Sequence, residues 1–192
     1  MNGPVASGLV KPRIYTKKGD DGSTGLLFGG RVRKDSRPIE VNGAVDEGQA
    51  AIGLARAQSE PGSEVDERLI ALARDLYVLM AEVATAPENR PKLVAGKTQV
   101  TEAMVAALEE AIDELLARFD MPSDFIIPGE NRVAAALDFA RAVVRRAERL
   151  AVTEPVEGSH VVAYLNRLSD LLWAMARWQE GPDHTLSKES AG

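Results

Sequence analysis

The chain has 192 residues, of which 45% are hydrophobic and only 5% aromatic, a composition that favours one helical domain over a β-sandwich. Its net charge of −6 argues against nucleic acid as the general partner, and its lack of cysteine excludes disulfides, thiolate nucleophiles and cysteine-ligated metals. No apolar run reaches the roughly 20 residues of a membrane helix, and the first residues lack the apolar stretch of a secretory signal. The sequence therefore predicts a soluble, cytoplasmic protein with no membrane partner.

Both ends of the chain are rich in Gly, Pro and Ser and are predicted to be flexible tails, residues 1–12 and 181–192. The domain between them, residues 13–180, begins with a loop that combines glycines, hydroxyls and lysines. Its sequence is Tyr15-Thr16-Lys17-Lys18-Gly19-Asp20-Asp21-Gly22-Ser23-Thr24-Gly25. Backbone N–H groups of such a loop can surround an anion, and lysines supply point charges for phosphates. The order of a P-loop or of a dinucleotide fingerprint is missing, so an ordinary cluster of turn residues remains the alternative.

Five helical patterns follow, with no convincing strand pattern among them. They cover residues 38–60, about 63–83, 101–119, 131–152 and 160–178. The first pattern contains Val41, Val45, Ile52 and Leu54 among many alanines. The predicted buried stripes are Leu137, Ala140, Val144, Ala147 and Ala151 on the fourth helix and Val161, Leu165, Leu168, Leu172 and Met175 on the fifth. The second helix begins with Ser63 and Asp66, which resemble a capping box, and residues 87–100 are predicted to be a loop. The sequence therefore predicts an all-α protein, an antiparallel five-helix bundle with a functional N-terminal loop.

The fourth predicted helix carries arginines on one side. Arg141, Arg145 and Glu148 are spaced four and three residues apart, so they share a face away from the apolar stripe, with Arg149 beside them. Forked guanidiniums on a rigid helix can hold phosphate oxygens in pairs. The alternative is a solvated face with local salt bridges.

The fifth helix carries an unusual polar line, Asn166, Asp170, Trp173 and Arg177, at spacings of four, three and four. Asn is a poor helix former and is often retained in mid-helix for another purpose. Next to the arginine face of the preceding helix, Asn166 could complete a nucleotide pocket. An exposed Asn166 with no ligand is the alternative.

Three further features of the sequence bear on function. Asp46 and Glu47 stand in an Ala/Val-rich stretch, so they are either exposed or paired with an arginine. Phe125 lies beside isoleucines in a loop and by default caps the core. His160 and His184 are too few for a metal cage, so any metal is expected to be Mg²⁺ held mainly by phosphates.

Six segments, taken in order, are similar to those of one enzyme family. They are Ile14-Tyr15-Thr16-Lys17-Lys18-Gly19-Asp20-Asp21-Gly22, Lys34-Asp35-Ser36, Gly43-Ala44-Val45-Asp46-Glu47, Phe125-Ile126-Ile127-Pro128-Gly129, Arg145-Arg146-Ala147-Glu148-Arg149 and Tyr164-Leu165-Asn166-Arg167-Leu168-Ser169-Asp170. Through them the chain resembles the PduO-type ATP:cob(I)alamin adenosyltransferases from residue 14 to about residue 177. The resemblance implies transfer of the 5′-deoxyadenosyl group of ATP to cob(I)alamin, which forms adenosylcobalamin and releases triphosphate.

The resemblance also implies a homotrimer whose sites lie between the N-terminal loop of one subunit and the fourth and fifth helices of its neighbour. The residues that it assigns to ATP binding are Thr16, Lys17, Lys18, Gly19, Asp20, Gly22, Thr24, Gly25, Lys34, Arg145, Glu148, Arg149 and Asn166. Those that it assigns to catalysis are Asp46, Phe125, Arg141 and Arg145. Asp46 would pair with Arg141 of another subunit, and Phe125 would lie beneath the corrin ring.

The implied small molecules are ATP with Mg²⁺ and a reduced corrinoid as substrate, and the implied partners are an electron donor and an adenosylcobalamin-dependent acceptor enzyme. The chain departs from the family pattern at Gly48-Gln49, where Leu-Asn is usual, and at Glu130, where a second glycine is usual. Gly48 is expected to loosen the first helix by up to about 1 kcal/mol. Two alternatives stay open, a non-catalytic carrier or regulator that binds ATP or adenosylcobalamin, and a helical bundle whose arginines bind acidic partners.

Overall fold

The structure, a computed structural model, describes residues 14–153, 155–182 and 184–188. The predicted N-terminal tail, residues 1–12, lies outside these residues. The elements are β1 (Ser23–Gly25), β2 (Arg31–Arg33), α1 (Arg37–Gln58), α2 (Glu64–Val83), a 3-10 helix (Pro87–Lys92), α3 (Glu102–Leu116), α4 (Arg132–Ala151) and α5 (Val161–Glu180). Among the described residues, no helix is both long and apolar enough to cross a membrane.

The fold is mostly helical, as predicted, but it differs from the prediction in two places. The 3-10 helix lies inside the predicted loop 87–100, so the described part of the chain holds six helices rather than five. β1 and β2 form a small antiparallel hairpin that the sequence did not reveal, with Thr24 opposite Val32. Three residues per strand are too few for an alternating pattern to show.

The hairpin is attached to the helical bundle through its turn. The backbone N–H of Leu27 donates to the carbonyl of Ala84, just past the end of α2, at 2.8 Å. At the start of α1, the Arg37 Nε donates to the Thr153 hydroxyl at 2.7 Å. The hairpin, the start of α1 and the end of α4 therefore lie at the same end of the bundle.

Polar side chains fix the starts of three helices. The Ser63 hydroxyl accepts the Asp66 N–H at 3.3 Å, which is half of the predicted capping box. The other half is not formed, because the Asp66 carboxylate instead accepts the Gly62 N–H at 2.9 Å. Thr101 and Asn131 cap α3 and α4 in the same way as Ser63.

The core lies between α1, α2, α4 and α5, with α3 packed against α5. The predicted stripes of α4 and α5 are buried throughout. Their members are Leu137, Ala140, Val144, Ala147 and Ala151 on α4, and Val161, Leu165, Leu168, Leu172 and Met175 on α5. Leu54, an apolar residue of the α1 pattern, is 56% exposed, whereas Val41, Val45 and Ile52 are buried.

Gly48 is buried where α1 crosses α4. A Cβ atom built there would lie 3.3 Å from Cγ2 of Val144, closer than van der Waals packing normally allows. The small residue therefore permits a close approach of the two helices. Glycine lowers the helix propensity at this position, but it allows α1 and α4 to pack closely, which the sequence did not show.

Part of the predicted C-terminal tail returns to the bundle. In residues 184–188, the Thr185 carbonyl accepts the Ile127 N–H at 2.8 Å. The Ser187 N–H donates to the Phe125 carbonyl at 2.7 Å. This segment therefore lies against the loop that precedes α4.

Candidate active site

In the N-terminal loop, one glycine and one lysine adopt the left-handed backbone conformation. Lys17 has a φ of 62° and Gly22 a φ of 80°, both in the left-handed region. Such a conformation is uncommon for a residue other than glycine and tends to occur at functional sites. A Cβ at Gly19 would lie 2.9 Å from Nζ of Lys34, so glycine lets the lysine lie across the loop.

Arg31 of β2 braces this loop. Its Nη2 donates to the Lys18 carbonyl at 2.6 Å, and its Nε donates to the Ser23 hydroxyl at 3.0 Å. Ser23 in turn donates through its hydroxyl to Asp21 at 2.7 Å, and this bond, with the Ser23 N–H, lowers the pKa of Asp21. Arg31 was not predicted as a site residue, because its role depends on the register of the hairpin.

The predicted loop residues lie together in the structure. Thr16, Lys17, Lys18, Gly19, Asp20 and Gly22 precede β1, Thr24 and Gly25 are on β1, and Lys34 follows β2. Lys17, Lys18 and Lys34 are exposed, and none of them is in an ion pair within the described residues. The loop therefore presents three positive charges that a bound anion could neutralise.

The predicted face of α4 meets α5 through one hydrogen bond. Glu148 accepts the Asn166 Nδ2 at 2.9 Å, so these two predicted residues are brought together. The Asn166 Oδ1 accepts Arg167 Nη1 at 2.5 Å, which orients the amide. Arg145 is exposed and forms no ion pair among the residues described, while Arg149 donates to the Arg145 carbonyl at 3.1 Å.

Arg141 is held by a buried carboxylate that the sequence did not single out. Its Nε lies 3.4 Å from Oδ1 of Asp138, which is 5% exposed. The other oxygen of Asp138 accepts Nη2 of Arg177 at 2.5 Å, and this nitrogen also donates to Glu180 at 2.8 Å. Arg177 is only 2% exposed, so it lies in the core and not on a surface shared with the half-buried Asn166.

Asp46 forms no ion pair with Arg141 among the described residues. It is exposed in a groove of about 410 Å³ between α1 and α2, whereas its neighbour Glu47 contacts Arg146 of α4. Gln49 turns toward α2 and donates to the Ala73 carbonyl at 3.0 Å. The Asp46–Arg141 pairing that the resemblance implies therefore stays a prediction.

Phe125 does not cap the core. Its side chain is 84% exposed, and that of Ile127 is 50% exposed. Phe125 is in the loop that leads into the Asn131 cap at the start of α4. At about 1.5 Å per residue, Arg149 lies about 27 Å further along α4, at the end of the bundle where the hairpin is attached. The exposed ring and the loop cations therefore belong to opposite ends of the bundle, with Arg141 and Arg145 on the helix between them.

A sequence profile of the cobalamin adenosyltransferase family matches residues 14–179. The chain belongs to this family. It is 36% identical over 171 residues to the corrinoid adenosyltransferase of Citrobacter freundii, a match that covers 88% of this chain and 95% of that protein. It is also 36% identical over 189 residues to the corrinoid adenosyltransferase of Mycobacterium tuberculosis (strain H37Rv), covering 91% and 97%.

The fold of this cobalamin adenosyltransferase family member is similar to a solved structure from Lactobacillus reuteri. That structure is a variant PduO-type ATP:corrinoid adenosyltransferase complexed with cobalamin and ATP. The TM-score is 0.80 at 28% sequence identity, with 91% of this chain and 97% of the other covered. The resemblance inferred from the six segments is thereby confirmed at the level of the family.

Sequence reasoning about this cobalamin adenosyltransferase missed Arg31 and Asp138. The signal for Asp138 was available, since a carboxylate stands inside an apolar stripe three residues before Arg141. Arg31 had no such signal. Among the described residues, no three His, Asp or Glu side chains are grouped so that they could hold a metal ion.

Proposed function

We propose that this chain is a corrinoid adenosyltransferase, which transfers the 5′-deoxyadenosyl group of ATP to cob(I)alamin and releases triphosphate. The family match carries the proposal, because residues 14–179 include the N-terminal loop, α4 and nearly all of α5. Both relatives named above are corrinoid adenosyltransferases, and the similar solved structure holds cobalamin and ATP.

The reaction needs no nucleophilic side chain, in keeping with a chain that has no cysteine. Co(I) of the substrate supplies an electron pair to the 5′ carbon of ATP, a cobalt–carbon bond forms, and the carbon–oxygen bond to triphosphate breaks. Triphosphate leaves with the electron pair of the broken carbon–oxygen bond. The protein contributes position and electrostatics. Lys17, Lys18 and Lys34, together with Arg145 and Arg149, stabilise the charge that grows on the leaving group.

Mg²⁺ fits this site as a metal carried by ATP. The described residues offer no group of acidic or histidine side chains for it, and Asp21 of the loop is already bonded to Ser23 and Arg31. Phosphate oxygens with water are a usual ligand set for Mg²⁺. Bound in this way, the ion neutralises part of the triphosphate charge.

We also propose the homotrimer, with each site shared by two subunits. Within the described chain, no hydrogen bond or ion pair joins residues 16–25 to Arg145. Asp46 and Arg141 are likewise separate, and Phe139 of α4 and Tyr77 of α2 expose 55% and 66% of their surface. Exposed apolar side chains of this size suit a subunit interface. A cytoplasmic location stays a proposal, supported by the lack of cysteine.

Mixing two strongly impaired variants tests the shared site. Lys18→Ala removes a loop cation and Arg145→Ala removes a helix cation. In a randomly mixed trimer with sites between subunits, about a quarter of the sites combine an intact loop with an intact helix face, so activity returns. Sites built from a single subunit would leave the mixture strongly impaired. Lys97→Ala, which removes an exposed charge outside the site, is the control.

The activity itself is tested anaerobically with ATP, Mg²⁺ and chemically reduced cobalamin. We expect adenosylcobalamin, followed by its absorbance spectrum, and triphosphate in equal amount. Nucleotide binding without either product would instead support a carrier or regulator. No binding of nucleotide at all would favour a bundle that binds acidic partners.

A further inference from the structure

The loop that carries Phe125 is paired along its backbone with the returning C-terminal segment. Ile126 and Leu186 form an antiparallel bridge, flanked on one side by the hydrogen bond from Ile127 N–H to the Thr185 carbonyl. On the other side, the carbonyl of Phe125 itself accepts a hydrogen bond. The backbone of Phe125 is therefore held while 84% of its side chain stays exposed.

Side chains at both ends of the loop add to this pairing. Glu130 accepts the Thr185 N–H at 2.8 Å, and Asp124 lies 2.9 Å from Nζ of Lys188. Hydrogen bonds from Thr185 lower the pKa of Glu130, so its carboxylate is ionised near neutral pH. Charge-assisted bonds of this kind are stronger than neutral ones.

The loop is also tied to the end of α5. Asn131, which caps α4, donates its side-chain amide to the Gln179 carbonyl at 2.8 Å. The segment that follows α5 therefore starts close to the loop, and Glu130 is placed to receive the Thr185 N–H. A glycine at position 130, the usual residue by resemblance, has no side chain to accept that bond.

We propose that Glu130 and Thr185 are positioning residues for a corrinoid site: through them the segment 184–188 holds the loop so that Phe125 and Ile127 face a corrin macrocycle. The inference rests on the proposed function. A large, flat and mostly apolar ligand suits two exposed apolar side chains on a backbone that is fixed at both ends. Neither Glu130 nor Thr185 needs to touch the ligand for this role.

The test compares Glu130→Ala with Glu130→Gln in the full-length protein. Glu130→Ala removes the acceptor of the Thr185 N–H, whereas Glu130→Gln keeps an acceptor oxygen. We expect Glu130→Ala to raise the KM for cob(I)alamin about tenfold, since small displacements of a binding group are costly, while kcat and the KM for ATP stay unchanged. Glu130→Gln should restore the wild-type KM.

Hydrogen exchange supplies a readout that does not depend on activity. The amides of Ile127 and Ser187, which donate across the pairing, should exchange faster in Glu130→Ala than in wild type. Thr185→Pro, which deletes the donating N–H itself, should reproduce both effects. Glu110→Ala, an exposed glutamate on α3, is the matched control.

The outcomes separate the two proposals. Wild-type protein that does not turn over overturns the proposed function itself. Normal turnover with an unchanged KM for cob(I)alamin in Glu130→Ala and Thr185→Pro overturns only the positioning role. So does an equal rise in the KM for ATP, because that result indicates general damage to the fold.

Discussion

The two sides of α4 show how the same residue type serves two purposes. On the inner side, Asp138 of α4 is paired with Arg177 of the neighbouring α5, and both are almost fully buried. On the outer side, Arg145 is exposed and has no carboxylate partner among the described residues. The charge of Arg177 is neutralised by Asp138 inside the fold, whereas the charge of Arg145 is available to a ligand. Burial and pairing, rather than residue type or helical spacing, distinguish the two.

Breaking the inner side should have the largest effect. Arg177→Met leaves the buried Asp138 carboxylate without its main partner, and loss of one member of a buried pair typically costs about 3–5 kcal/mol. Urea unfolding should show this loss. Arg146→Met breaks the exposed contact with Glu47 and should cost less than about 1 kcal/mol. Equal losses in the two variants would contradict the comparison.

Breaking the outer side should change activity and leave stability intact. Arg145→Ala removes a guanidinium that is proposed to stabilise the leaving triphosphate, so kcat/KM for ATP should fall about a hundredfold. The urea midpoint should match wild type, because the side chain is exposed and makes no ion pair in the described chain. A lowered midpoint would instead assign Arg145 to the fold. Lys97→Ala again serves as the charge control.

A bulkier residue at Gly48 tests the packing of the inner side. Gly48→Leu forces side-chain atoms toward Val144 and should destabilise the protein by about 1–3 kcal/mol. Gly43→Leu is the matched control on the same helix, because a Cβ there meets nothing within 4 Å. It should be neutral or stabilising through helix propensity. If Gly48→Leu were also neutral, α1 and α4 would not need their close approach.

Phe125→Ala extends the comparison to an exposed apolar group. The variant should fold and bind ATP normally, since the ring is 84% exposed. Starting from Co(II) with a reductant, we expect adenosylation to slow by about tenfold, because an apolar ring that excludes the lower axial ligand eases reduction to Co(I). Met121→Ala, at a side chain that is 64% exposed, is the control. Unchanged turnover from Co(II) would reject this role.

Arg141 lies between the two sides and should give the smallest effect. It is partly exposed and held by Asp138 at 3.4 Å, and it is proposed to pair with Asp46 of another subunit. Surface ion pairs contribute about 1 kcal/mol or less, so Arg141→Ala should lower activity by roughly fivefold and weaken the trimer. Sedimentation at several concentrations measures the second effect. A trimer of unchanged stability with wild-type kinetics would refute the pairing.

The sequence predicted well what depends on helical periodicity and poorly what depends on distant pairing. The buried stripe of α4 follows from residue spacing alone, because every third or fourth position shares a face. The same spacing placed Arg177 in line with Asn166, although Arg177 is buried and Asn166 is partly exposed. Arg177 is buried because it pairs with Asp138 on the neighbouring helix, a contact that spacing within one helix does not show. Residue spacing shows on which side of its helix a side chain lies, but it does not show which residue of another helix faces it.

Phe125 was misread for a related reason. An aromatic residue beside isoleucines normally belongs to the core, and no local pattern shows otherwise. Its loop is held by the chain that returns after α5, through contacts between residues such as Asp124 and Ser187 that are 63 positions apart. The family resemblance assigned Phe125 to the corrin site, which stays a prediction, and the geometry around it came only from the folded chain.

The attachment of the hairpin to the bundle by Leu27 and Ala84 has a consequence for how the enzyme can diversify. The contact is a main-chain hydrogen bond of 2.8 Å, so it does not depend on the identity of either side chain. Side chains in the turn between β1 and β2 can thus change while this main-chain attachment to the helices is kept. The hairpin and the helical interior can therefore accept substitutions independently of each other.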